Sequence, residues 1–268
     1  MSVTFALFVV LFILMIALGG GRGSKSFFTL IFNLIVLFIM LRLMTYGFEP
    51  LKVTIIGCII ISSITLFYIN GINKKTIASL ISVILVVLAT ILLIFKMAAE
   101  AKIQGFGKEQ AEEVTYMSLY IHLDFSKIVT SVIIIALLGA IIDVSISISS
   151  SMNELFLIDN TITKKSLIKS GMNIGKDILG TMTNTLLFAY IAGFMTLILW
   201  FGVYNYTILE VINSKVFCEE IFQIISSGIG IILIIPVTAI ITSMILFVKT
   251  TVDKQKLKGE TKTPIKQS

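Results

Sequence analysis

Ile128-Val-Thr-Ser-Val-Ile-Ile-Ile-Ala-Leu-Leu-Gly-Ala-Ile-Ile-Asp143-Val-Ser-Ile-Ser-Ile-Ser149 is a run of apolar and small residues broken by a single carboxylate. Its length matches the roughly 20 residues that a helix needs to cross the hydrocarbon core of a bilayer. A two-residue alternation, the mark of a barrel strand, is absent over most of the run, so the expected element is a membrane helix. In lipid a spanning segment must satisfy its own backbone groups, which leaves helices or closed barrels. Asp143 is the informative exception, because an ionised group at membrane depth costs a few kcal/mol or more. That cost calls for a partner, a water-filled cavity or a bound ion close by.

The rest of the chain repeats the pattern. Hydrophobic residues make up 57% of the 268 residues and charged ones only 13%, against about 25% charged in a soluble domain. Seven apolar segments are expected to span: Val3–Leu18, Phe27–Thr45, Val53–Ile69, Ile77–Phe95, Ile128–Ser149, Gly180–Val203 and Ile221–Val248. The expected fold is thus an all-α polytopic transmembrane helix bundle of about seven spans, with membrane lipid around it. Residues 1–248 form the helical domain, with an outer amphipathic segment at 97–127, a cytoplasmic loop at 150–179 and a basic cytoplasmic tail at 249–268.

Charge sets the orientation. The first segment lacks a basic flank before it and an Ala-x-Ala site after it, so it reads as a retained anchor and not as a secretory signal. With the N-terminus outside, Arg22/Lys25, Lys74/Lys75, Lys164/Lys165/Lys169/Lys176 and the tail from Lys249 all face the cytoplasm. This places fourteen of the 21 Lys and Arg inside and seven outside, as the positive-inside bias requires. The expected topology is N-out, C-in. The formal charge of +6 sits largely in the tail, where it suits anionic headgroups; without a recognition motif it does not point to nucleic acid. Gly19-Gly-Gly21 and Gly71 lie in links short enough to force helical hairpins, and supply the backbone freedom for the turns. Val114, Met117 and Tyr120/Ile121 recur at helical spacing, so Lys108–Leu119 reads either as a surface helix or as an extension of the fourth span.

Helical spacing groups the polar residues. Gly139, Asp143, Ser147 and Ser150 follow at three or four residues and share one face, while Ser145 and Ser149 lie on a neighbouring stripe. Asn173, Asp177, Thr181 and Asn184 form a second row, beside a small-residue stripe of Gly171, Gly175 and Gly180. Under the expected topology Asp143, Ser147, Thr181 and Asn184 fall at comparable depth in the cytoplasmic half, with Asp177 and Asn173 towards the mouth. These six residues are the candidate site for a cation, proton or small polar solute. The competing reading is that the hydroxyls, amides and glycines simply pack helices together, as they commonly do in membranes; Asn33 in the second segment reads that way. Gly171–Val203 is too long for one perpendicular crossing. Its first third is either a cytoplasmic amphipathic helix or a re-entrant piece broken near Gly180.

Other chemistry finds little support. Cys58 lies in an apolar span and Cys218 in a loop, so no disulfide framework is expected. His122 and Asp124 lack metal-ligand spacing, and no phosphate-binding loop, nucleophile elbow or His-Glu-x-x-His helix occurs. No metal or cofactor is expected, and the chain does not read as an enzyme. A membrane enzyme acting on lipid would have only Asp143 with Asp177 as an inside-facing acid/base pair.

The run from Asp143 to Ser149, and Ser170-Gly-Met-Asn-Ile-Gly-Lys-Asp-Ile-Leu-Gly-Thr-Met-Thr-Asn-Thr-Leu-Leu-Phe-Ala-Tyr190, resemble the YibE/F family of bacterial multi-pass membrane proteins. Gly105-Phe-Gly107, and Asn70-Gly71 with Asn73-Lys-Lys75, resemble it too, and the length is similar to that of the shorter branch. The resemblance implies a place in the bacterial cytoplasmic membrane and a heteromeric partner, a longer YibE/F-like protein. It implies no substrate. From the residues themselves two functions follow: a transporter or permease-like component built on Asp143, or a non-transporting subunit whose polar faces organise a complex.

Overall fold

The computed structural model describes residues 3–101, 125–159 and 161–260. Among them the chain is helical throughout, in the order α1 (Val3–Thr45), α2 (Pro50–Ser63) continued by a π-turn (Ile64–Tyr68), α3 (Lys74–Ala101), α4 (Phe125–Ile158), α5 (Lys164–Val203), α6 (Ile208–Asn213) and α7 (Lys215–Glu260). Six of these helical stretches are long and apolar enough to cross a membrane. The outer segment expected around Lys108–Leu119, with His122 and Asp124, lies outside the described residues.

Seven apolar segments become six helices because the first two are the arms of one broken helix. Gly20 has φ 54° and ψ −135°, a non-helical conformation inside α1. On a straight helix Phe8 and Phe27 would stand about 28 Å apart; here their rings are 5.0 Å apart, and Phe12 and Phe27 are 4.6 Å apart. The chain therefore doubles back at Gly20, giving arms 3–19 and 21–45. A side chain at Gly23 would collide with the carbonyl of Met15 across the bend. The second hairpin turns at Gly71, with φ 73°, where Thr76 Oγ1 accepts from the Asn73 backbone N–H at 2.9 Å.

The core is built by α3, α4 and α7, which pack against one another, with α2 flanking α4 and α5 packing mainly against α7 and less extensively against α4. Ile94, Ile133, Ile134, Leu137, Ile141, Ile148, Ile231 and Ile234 are fully buried at their junction. Three contacts show that α4 and α7 run parallel: Gly230 beside Leu137 and Ile141, Ser145 bonded to Thr238, and Phe156 against Phe247. The arms of α1 touch only α2 and its π-turn among the larger contacts, and keep an apolar surface open to lipid. At the start of α2, Glu49 meets Lys52 at 2.9 Å and Lys127 at 3.8 Å, linking α2 to α4. The Lys52 hydrogen bond and charge hold the Glu49 carboxyl below its ordinary value.

Of the two readings left open for the start of this segment, a surface helix or a re-entrant piece broken near Gly180, the broken one is not found. α5 runs without interruption from Lys164 to Val203, and nothing lies within 4 Å of the position a Gly180 side chain would take. The 150–179 segment is likewise more helix than loop: α4 continues to Ile158, and a short turn leads into α5. Asp159 Oδ1 accepts from Thr161 N–H and hydroxyl in that turn at 2.8 and 2.6 Å. Thr163 then caps α5, accepting from Ser166 N–H at 3.2 Å. At forty residues α5 is about 60 Å long, so it extends beyond the bilayer or tilts strongly.

The glycines of α5 do different work. A Cβ at Gly175 would collide with Ile235 of α7, and one at Gly171 with Met152 of α4. Gly175→Ala is expected to destabilise the bundle by about 1–3 kcal/mol through overpacking, whereas Gly180→Ala should stabilise it by about 0.5–1 kcal/mol through helix propensity. Thermal unfolding of the two variants in detergent checks this; equal shifts would mean that α5 is not in close contact with α7.

Candidate functional site

The polar rows occupy the faces that this bundle does not pack. Around α4 each residue advances by about 100°, which sets Asp143 nearly opposite the fully buried Ile134, Ile141 and Ser145. Gly139, Asp143 and Ser147 are all exposed, and Ser150 is half-buried. In α5 the same arithmetic sets Asn173, Asp177 and Asn184 opposite the Gly171/Gly175 stripe that meets α4 and α7, and all three are exposed, as is Thr181.

The hydroxyls of these rows are satisfied within their own helices. Ser147 Oγ donates to the Asp143 carbonyl at 2.7 Å, and Thr181 Oγ1 to the Ile178 carbonyl at 2.8 Å. α4 and α5 touch, yet among the described residues no hydrogen bond or ion pair joins the two rows. The Asp143 carboxylate likewise has no hydrogen bond or ion pair there. Met152, which meets Gly171 of α5, lies on the α4 face opposite Asp143, and the α5 row lies opposite its Gly171/Gly175 stripe, so among the described residues the two rows are not brought together and no chamber closes around them. No group of three or more His, Cys, Asp or Glu comes together among the described residues, and both cysteines are free thiols.

A different polar layer is enclosed. Ser79 of α3, Ser145 and Ser149 of α4, and Thr238 and Thr242 of α7 are all fully buried. Ser79 Oγ and Ser149 Oγ share a hydrogen bond at 2.6 Å, Ser145 Oγ and Thr238 Oγ1 one at 3.1 Å, and Ser145 Oγ reaches the Ser79 carbonyl at 3.4 Å. Ser243 extends the layer to the Lys164 carbonyl at 3.5 Å. Elsewhere Tyr190 OH and Ser227 Oγ share a bond between helices at 2.9 Å, Cys218 Sγ of α7 donates to the Ile212 carbonyl of α6 at 3.3 Å, and Asn33 Nδ2 donates to Thr65 Oγ1 at 2.9 Å. The last matches the packing role read for Asn33, and Thr65 lies in the π-turn.

Sequence spacing placed Ser145 and Ser149 on their own stripe but not in the candidate site, and it passed over Ser79, Thr238 and Thr242. A signal was present. Thr238 and Thr242 are four residues apart in an apolar helix, as are Ser145 and Ser149, and such pairs put two hydroxyls on one face.

Three comparisons with known proteins complete the description. Residues 7–248 match the sequence model of the YibE/F-like protein family. No curated protein and no solved structure matches the chain.

The Ser145–Thr238 bond is expected to couple by about 0.6 kcal/mol, the average for hydrogen bonds between membrane helices. A double-mutant cycle with Ser145→Ala and Thr238→Val, read by unfolding in mixed micelles, measures it. Strict additivity would show that the two hydroxyls do not interact.

Proposed function

Because the chain belongs to the YibE/F-like family, with a match over most of its length, and is a multi-helix membrane protein, we propose that it is a non-enzymatic, permease-like component. Its Asp143 row forms part of a polar path for a cation, proton or small polar solute in the bacterial cytoplasmic membrane. The observation that supports this reading is the Asp143 carboxylate on an uncovered face of an apolar helix. Facing hydrocarbon, it would cost a few kcal/mol or more. Facing water, or the polar surface of another chain, it does not. Reversible protonation or cation contact is the chemistry that a lone carboxylate offers there; Ser147 stands one turn along the same row, while Asn173, Asp177, Thr181 and Asn184 offer neutral oxygens and a second carboxylate on the separate exposed row of α5.

The openness of both rows also favours a second reading, a subunit that organises a complex with a longer family relative. In that case the Asp143 face packs against the partner. Hydrogen bonding then serves assembly and nothing moves along the row.

Reconstitution separates the two. Proton and monovalent-cation flux into proteoliposomes is expected to fall by about tenfold or more in Asp143→Asn, equivalent to about 1.4 kcal/mol. Unchanged flux would remove Asp143 from transport, and loss of copurification with the longer relative in the same variant would favour the assembly reading. After replacement of Cys58 and Cys218, Ser147→Cys should react with a water-soluble thiol reagent while Ser149→Cys stays protected. Protection of both would place the Asp143 face against lipid or protein.

A further inference from the structure

Among the described residues two buried side-chain atoms lack a hydrogen-bond partner, Asn33 Oδ1, whose amide nitrogen is bonded to Thr65, and Thr242 Oγ1, whose hydroxyl is the side chain's one polar group. The Thr242 side chain is fully buried. A buried hydroxyl left without a partner costs on the order of 1–3 kcal/mol in proteins, and such a group calls for an ion, a water or strain to account for it.

Its position supplies the account. α4 and α7 run parallel, and Ser145 meets Thr238. One turn further on, Ser149 and Thr242 occupy the same level of their helices, and Ser79 of α3 is bonded to Ser149 at that level. Five hydroxyls from three helices therefore gather in one layer, in the half of the bundle assigned to the cytoplasm. Two of them can keep their protons on their own helices, since Ser79 Oγ donates to the Lys75 carbonyl at 3.0 Å and Ser149 Oγ to the Ile146 carbonyl at 3.2 Å. A hydroxyl that donates to its own backbone has lone pairs free for something else.

We propose that Ser79, Ser145, Ser149, Thr238 and Thr242 form a binding site for a small alkali cation of sodium type, with Thr242 Oγ1 as the donor that the ion completes. Neutral hydroxyl and carbonyl oxygens are hard ligands that suit hard cations. A monovalent ion is also the charge that a layer without a carboxylate tolerates best. On binding, the Ser79–Ser149 and Ser145–Thr238 hydrogen bonds open, and each oxygen turns a lone pair inwards. The site lies on the face of α4 opposite Asp143 and does not rest on the transport reading.

The test uses the purified full chain in detergent, at constant ionic strength, with sodium chloride set against choline chloride. Saturating sodium is expected to raise Tm by about 5 °C, with a hyperbolic dependence on concentration and a smaller effect from potassium. Radioactive sodium should bind at about one ion per chain. Thr242→Val should abolish both signals and Thr242→Ser restore them. If Thr242→Val fails to fold, saturable binding to the parent and its weakening in Ser149→Ala carry the same decision. Identical Tm in sodium and choline, with no saturable binding to the parent, would overturn the proposal and leave the layer as helix packing or a site for buried water.

Discussion

α4 is clamped between α3 and α7, and that clamp decides which polar groups the protein hides and which it shows. The helix is apolar on nearly every side, so its composition sets no preferred face. Packing chooses one: Ile134, Leu137, Ile141, Ser145, Ile148 and Met152 go inside, and Asp143 is carried to the outside by its place on the helical wheel. Once Ser145 and Ser149 are buried, their hydroxyls need partners. Ser79 and Thr238 supply them from the two clamping helices. The close fit of α5 follows from the same core, because Gly171 and Gly175 let its backbone settle against Met152 and Ile235.

The molecule thus carries two polar systems on opposite faces of one helix. The inner one is made of hydroxyls, is hydrogen-bonded across three helices and is closed to the surroundings. The outer one contains the carboxylates, is satisfied locally where it is satisfied at all, and is left open by the described residues. Small hydroxyls are easier to bury because a neighbouring hydroxyl or carbonyl can compensate them, as happens for Ser79, Ser145, Ser149 and Thr238 but not for Thr242. A carboxylate is harder to bury and is left where water or another chain can reach it.

Much of this was readable from the residues. Long apolar segments without a two-residue alternation pointed to helices in a membrane, since in lipid only helices and closed barrels satisfy their backbone. Gly20 and Gly71 were legible as turns because both take positive φ, which other residues resist. Spacing alone also put Gly139, Asp143 and Ser147 on one face and Asn173, Asp177 and Asn184 on another. Whether α5 breaks near Gly180 was left open by the residues, because a glycine weakens a helix without ending it; the helix continues through it, with no competing contact there.

Sequence by itself therefore determined the class of the protein, its turns and the membership of each polar row, all of which depend on local backbone chemistry and periodicity. Only the tertiary structure decided that the Asp143 row faces outward, and that Ser79, Thr238 and Thr242 join Ser145 and Ser149 inside. The physical reason is that an apolar helix has no favoured side in lipid. Its orientation is set by shape, through glycines that admit a neighbour and side chains that fill the gap, and shape between distant segments is not encoded in the spacing of either one.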